Sequence, residues 1–152
     1  MSNAPDPRSP ALSLEAINAL IDSTFPGLSV HGRWIHIESV ADRAASVRMS
    51  AVPSTIRPGG TISGPAMFTL ADFSIYAALI ATLGAPAVAS VTSNLNINFL
   101  VRPEPVDVIG RARILRLGKR LAFAEVELVS VGGPDVIAHA TGSYALPRLP
   151  VG

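Results

Sequence analysis

Hydrophobic and polar positions first alternate at a helical period. In "LSLEAINALIDSTF", residues 12–25, Leu14, Ile17, Leu20 and Ile21 fall at helical spacing, and Ser13 stands where a cap belongs. "PGLS" ends that helix. Two strand-like runs follow, "HGRWIHIESV" (31–40) and "RAASVRMSAV" (43–52), separated by a short polar break. "PSTIRPGG", residues 53–60, has the composition of a loop. A long apolar helix comes next. Ser63 or Gly64 is its cap, and Pro65 lies in the first turn, where a missing N–H leaves nothing unpaired. Gly84 closes it, with Pro86 behind. Four more strand-like runs complete the chain: "AVASVTSNLNINFLV" (87–101), "VDVIGRARILRL" (106–117), "RLAFAEVELVSV" (120–131) and "DVIAHATGSYALP" (135–147). The links "GK" and "GGP" between the last three are short enough for antiparallel hairpins.

This order predicts an α+β fold with a short N-terminal helix and a long central one. The central helix is hydrophobic all round, so it needs cover on every side. One curved antiparallel sheet of about six strands can wrap one side of such a helix. A second copy's helix and sheet are the natural cover for the rest. Residues 1–10, "MSNAPDPRSP", read as a flexible arm and residues 11–150 as a single domain, with no internal repeat.

The chain has 152 residues, about one domain's worth. Hydrophobic residues are 49% and charged residues 15%, against about 25% charged in an average soluble domain. A surface this poor in charge favours burial against copies of the same chain. A formal net charge of +1 makes no electrostatic case for a nucleic-acid or membrane-surface partner. With no cysteine, a thiol nucleophile, a disulfide framework and cysteine metal sites are excluded. No apolar segment follows a basic start, so the cytoplasm is the expected location. The apolar stretch after Gly64 approaches the length of a membrane span, yet it holds Asp72 and is bounded by Pro65 and Gly84. We expect a core helix. His31, His36 and His139 have no second ligand at metal-binding spacing, so no metal is expected. The phosphate-cradling, dinucleotide and serine-elbow motifs are missing, and "SGP" at 63–65 is not such an elbow.

Asp72 is the only charged residue among the 44 between Arg57 and Arg102. An ionised acid is costly to bury without partners. Two readings stand open. The acid bonds to backbone or hydroxyl neighbours and steadies an interface, or it is a general base or nucleophile in an apolar cleft. The helix N-terminus near Gly64 presents unpaired N–H groups and the positive end of the dipole. Such an end can hold a carbonyl oxygen or a developing oxyanion. Asp72 lies about 12 Å further along the axis, at about 1.5 Å per residue. One helix cannot easily bring both to one small reacting centre. Two antiparallel helices from different chains can.

"GTISGPAMFTLAD", "SNLNINFLVRP" and "GRARILRLGKRLAFAEVELVS…IAHATGSYAL" together resemble the hotdog-fold acyl-CoA thioesterases of the phenylacetate-pathway type, in the 4-hydroxybenzoyl-CoA thioesterase superfamily. The likeness runs from about Val40 to Leu146. It implies a long helix wrapped by the sheet and hydrolysis of acyl-CoA at a dimer-interface site, usually within a tetramer. Coenzyme A is then part of the substrate, and no separate cofactor is implied. The family's aspartate, which activates water or attacks the thioester carbonyl, corresponds to Asp72. The N–H that polarises the carbonyl oxygen corresponds to that of Gly64. A helping hydroxyl on the next strand corresponds to Thr92, with Ser93 beside it. Two positions depart from the pattern. Ser63 stands in place of the loop histidine and Arg57 in place of an upstream asparagine. Ser63 cannot act as an imidazole-like proton shuttle, because its pKa is far too high. Arg57 either grips a substrate carboxylate or phosphate or is a solvated loop arginine.

The resemblance also assigns Lys119 and Arg120, in "GKRLAF", to the phosphates of CoA, with Arg102 joining them; alone they are ordinary hairpin charge. Asp72 shares a helix face with Phe68, Ile75, Tyr76 and Leu79. Tyr76 either donates to the acid or, the preferred reading, is core with its hydroxyl satisfied elsewhere. Met67, Phe68, Phe73 and Leu79 imply an apolar acyl pocket. Thioester hydrolysis is the leading expectation. A non-hydrolytic acyl-CoA binder, or a subunit kept for assembly, is the alternative that the Ser63 and Arg57 departures favour. A hydroxyacyl-CoA dehydratase is disfavoured, since that chemistry wants an Asp–His pair near the start of the helix.

Overall fold

The computed structural model describes residues 9–25 and 34–148. Most of the expected arm (1–8), the start of the first strand-like run with His31, and residues 149–150 lie outside the described residues.

Helix α1, Leu14–Thr24, starts at Ser13, whose hydroxyl accepts from the Ala16 N–H at 3.2 Å. It turns Ile17 and Ile21 into the core. Strands β1 (Ile35–Ala41) and β2 (Ala44–Met49) pair antiparallel. Ala45, Val47 and Met49 of β2 face inward by strict alternation. The composition of residues 53–60 predicts loop throughout. Instead Ile56–Arg57 (β3) pairs with Thr61–Ile62 (β4) in a small hairpin. Two-residue strands carry no readable period. The buried Thr55 anchors this hairpin, accepting the Ser63 N–H on its carbonyl at 2.8 Å.

Helix α2 runs Gly64–Leu83. Ser63 caps it, accepting from the Ala66 N–H at 3.2 Å. Gly84 ends it at φ +86°, a conformation that glycine tolerates, and donates its N–H to the Ile80 carbonyl. The run 87–101 has the pattern of a strand from its first residue. Its start is instead part of a 3₁₀ turn, Ala85–Ala89, and β5 spans Val91–Phe99. "APAVA" is apolar enough to look like strand, but Pro86 suits the first turn of a helix and Ala87 packs as core. β6 (Val108–Leu117), β7 (Leu121–Ser130) and β8 (Val136–Ala145) form the expected meander of hairpins.

The six long strands make one antiparallel sheet in the order β1-β2-β6-β7-β8-β5, lying across α2. This is the α+β hotdog fold. By length and hydropathy α2 could cross a membrane, yet 67% of its apolar window is buried, and it is the core helix. Every residue from Ser74 to Ala81 is buried. One stripe on its first half is not covered. Pro65, Phe68 and Thr69 are exposed and Asp72 is half-buried, at the spacing of a single helix face. The sheet ends on β1 and β5, so β5 lies at an open edge.

Candidate active site

Asp72 projects from α2 toward the start of β5 and the end of β8. The Thr92 hydroxyl donates to its Oδ1 at 2.8 Å, and the Tyr144 phenol donates to the same oxygen at 2.5 Å. The phenol oxygen also lies 2.9 Å from the Asp72 backbone carbonyl. Thr92 and Tyr144 are directly opposed partners across the β5–β8 ladder, so the pairing places both donors in front of one carboxylate. The pairing shifts between Thr92 and Asn94, where Ser93 is the extra residue of a bulge. That residue resets the phase. Thr92 reaches Asp72 on the helix side, and Leu95 and Ile97 after the bulge also pack on the core.

The carboxylate opens into a cleft of about 330 Å³ walled by Phe25, Phe73, Tyr76 and Tyr144, with Ser90 and Thr92 at its polar side. The Tyr76 and Tyr144 rings stack with centroids 6.4 Å apart, and Phe25 meets Tyr76 edge-on at 5.7 Å. The Tyr76 hydroxyl donates to the Val88 carbonyl at 2.7 Å, which satisfies it away from the acid. Burial raises the Tyr76 phenol above its ordinary range. Burial, and then the bond to Asp72, raise that of Tyr144 much further. Both therefore remain protonated donors through the neutral range.

Gly64 lies at the other end of the uncovered stripe, in a different hollow of about 440 Å³. Arg57, Met67, Phe99 and Arg102 also line it. The Phe99 ring lies over Gly64, 3.5 Å from where a Cβ would be. Arg102 donates to the Gly59 carbonyl at 3.2 Å. No residue lines both hollows, so within one chain the acid and the helix N-terminus do not meet. Ser63 lies beside the second hollow with its hydroxyl engaged as the cap.

The remaining candidates line neither hollow. Ser93 is exposed at the bulge, Phe68 is exposed on the stripe, and Lys119 and Arg120 are exposed in the β6–β7 turn. Of the residues expected to line an acyl pocket, Phe73 lines the acid's cleft and Met67 the second hollow. Leu79 is wholly buried, as is Ile75 on the same helix face, so neither wall includes them. Among the described residues no group of three or more His, Asp or Glu side chains converges as a metal site.

Two residues carry more than their sequence suggests. Tyr144 has no role in the sequence reading. Its signal is a phenol on the strand face otherwise made of Ala138, Ala140 and Gly142, all buried. A bulky polar-tipped side chain among such small ones marks a gap to be filled and a hydroxyl to be satisfied. Ser90 is buried in the cleft wall, and its hydroxyl has no partner among the described residues. Nothing in "PAVAS" announces it.

The profile of the thioesterase superfamily matches residues 59–137, which include α2, β5, β6 and β7. A solved candidate thioesterase from Silicibacter sp. TM1040 is 32% identical to this chain; the match covers 91% of this chain and 94% of that one, with a TM-score of 0.80. A conserved Pseudomonas aeruginosa protein is 25% identical, over 85% of this chain and 98% of the other, with a TM-score of 0.72. A mutant of the phenylacetic acid degradation protein PaaI from Thermus thermophilus, at 22% identity over 80% of this chain and 99% of its own, with a TM-score of 0.64, shares the fold. No curated protein matches the sequence. With over half of its length matched by that profile, and the hotdog fold built around α2, the chain belongs to the thioesterase superfamily.

Proposed function

We propose that this protein hydrolyses the thioester bond of acyl-CoA, in the cytoplasm, at a site made by two copies of the chain. The observation that carries the reading is the Asp72 carboxylate: among the described residues it is the only charged side chain in an aromatic-walled cleft, and two hydroxyl donors hold it. It deprotonates a water for attack on the thioester carbonyl, or attacks that carbonyl itself. The Gly64 N–H of the partner chain stabilises the oxyanion. Three features support a second copy. The α2 stripe from Pro65 to Asp72 is uncovered. The β5 edge is open, and the segment ends in Phe99, Leu100 and Val101, which are 52%, 57% and 45% exposed. The acid and the Gly64 N–H fall in separate hollows of one chain. A homodimer, alone or doubled into a tetramer, would close both gaps.

Arg57 and Arg102 line the Gly64 hollow, where their guanidinium groups would suit a phosphate or a carboxylate of the substrate. Lys119 and Arg120 fit CoA phosphates from the sheet end that also carries Tyr144: Leu121 pairs with Ala145, and Leu146 donates to the Arg120 carbonyl.

The test is thiol release from a panel of acyl-CoAs, from short aliphatic to long aliphatic to aromatic, by wild type, Asp72→Asn and Asp72→Ala. Loss of the acid is expected to lower kcat by about 10²–10⁴-fold. A loss under about threefold would remove Asp72 from the chemistry. One observation favours a second reading, an acyl-CoA binder without turnover. Ser63, at the position of the usual histidine, is engaged as a helix cap and leaves the loop without a proton carrier. In that case CoA esters raise the melting temperature while no thiol is released.

A further inference from the structure

We propose that Tyr144 is a positioning residue for Asp72, which clamps Oδ1 together with Thr92 so that Oδ2 alone faces the cleft as the reacting oxygen. The inference deepens the thioesterase reading and rests on it for its role in turnover. Tyr144 lies on β8, beyond residue 137, where the superfamily match ends. Its phenol is nearly buried, donates to Oδ1, and sits across the ladder from the other donor. Among the described residues, none donates to Oδ2.

A carboxylate on one side-chain stem rotates freely unless something fixes it. Donors from two different strands, meeting at one oxygen, fix both its direction and the choice of oxygen. An acid held this way meets an incoming water or carbonyl without reorganising, and positioning of that kind contributes directly to rate. Tyr76 supplies the contrast. It occupies the same cleft and stacks on Tyr144, but its hydroxyl goes to a backbone carbonyl instead of the acid. Among the described residues, the titratable side chains lining the cleft are Asp72, Tyr76 and Tyr144, and neither of the other two carries a charge to compete for the carboxylate.

The experiment compares the Asp72 carboxyl carbon resonance by NMR at neutral pH in wild type, Tyr144→Phe, Thr92→Val and Tyr76→Phe, with kcat and KM measured alongside. A hydrogen bond polarises the carboxylate oxygen that accepts it, so removing a donor shifts that resonance. Tyr144→Phe and Thr92→Val are expected to shift the resonance, and Tyr76→Phe to leave it in place. Where thiol release is measurable, Tyr144→Phe lowers kcat by about 10–100-fold with KM within about twofold. Thr92→Ser, which keeps a donor, is expected to recover most of what Thr92→Val loses. A resonance unmoved by Tyr144→Phe overturns the clamp, whether or not any ester is hydrolysed. A wild type that hydrolyses no ester defeats the thioesterase reading alone, because the resonance still decides the clamp. Retention of the melting temperature in Tyr144→Phe, which keeps the stacked ring, separates the effect from misfolding.

Discussion

Gly110, on β6, lies directly beneath Ser74 of α2. A Cβ there would come within 2.4 Å of the Ser74 hydroxyl oxygen and 3.2 Å of Leu70 Cγ. The hydroxyl cannot simply swing aside without loss, because it donates to the Leu70 carbonyl at 2.6 Å. The missing side chain therefore sets how deeply the helix sits on the sheet, and with it the distance from Asp72 to the two strands that hold it. Gly110→Ala is expected to cost about 1–3 kcal/mol, the usual range for overpacking a filled core. Ser74→Ala in that background removes the nearest clashing atom and returns part of the loss, a coupling visible in a double-mutant cycle of urea midpoints. A Gly110→Ala protein as stable as wild type would mean that α2 has room to shift. The sequence shows Asp72 at this scale, because a lone charge in a long apolar stretch stands out by itself. It does not show Gly110 or Ser90, whose parts depend on what lies opposite in space.

The β5 element shows where pattern reading succeeds and where it stops. "SNLNINFLV" alternates plainly, and the strand lies where the period says. Carried backward without a break, the same alternation would put Ser93 on the face of Leu95 and turn Thr92 outward with Asn94. The bulge reverses this, and Thr92 reaches the acid. A bulge adds one residue without any composition signal of its own, so only the resemblance pointed to Thr92. The β3–β4 hairpin and the 3₁₀ turn escape for a related reason: both are shorter than one readable period. The consequence is testable. Ser93→Ala keeps the residue count and is expected to change stability by less than about 0.5 kcal/mol. Deleting Ser93 forces a choice between two bad registers. Either Thr92 leaves Asp72, or Leu95 and Ile97 turn to solvent at about 1.5–3 kcal/mol each, less what partial burial already forfeits. Urea unfolding of the deletion variant should show either the stability loss or a protein that keeps its midpoint and loses the acid's site. A deletion neutral in both respects would show that the bulge fixes nothing.

At the scale of the whole molecule, one polypeptide would supply, under the proposed function, two half-sites that it does not itself join. Asp72 with its aromatic cleft is one, and the Gly64 helix end with Arg57 and Arg102 is the other. An isologous pair of chains would join each half to its complement twice over. This makes a prediction that no single-chain site shares. Asp72→Asn removes the acid. The double change Gly64→Pro with Pro65→Ala removes the Gly64 N–H while keeping a proline in the first helical turn, where the fold already accepts one. Each variant alone is expected to be nearly inactive in thiol release. Unfolded together and refolded at equal amounts, they form mixed pairs in about half of the dimers, and each mixed pair has one intact site of its two. Activity should therefore return to about a quarter of the wild-type value. If the acid and the N–H serve one site within a chain, mixing restores nothing, because every chain carries a broken site. Recovery would also establish the assembly, since monomers have no means of pooling their halves. It would explain too why a chain with so little charge leaves an apolar stripe and a strand edge open around the one acid of α2.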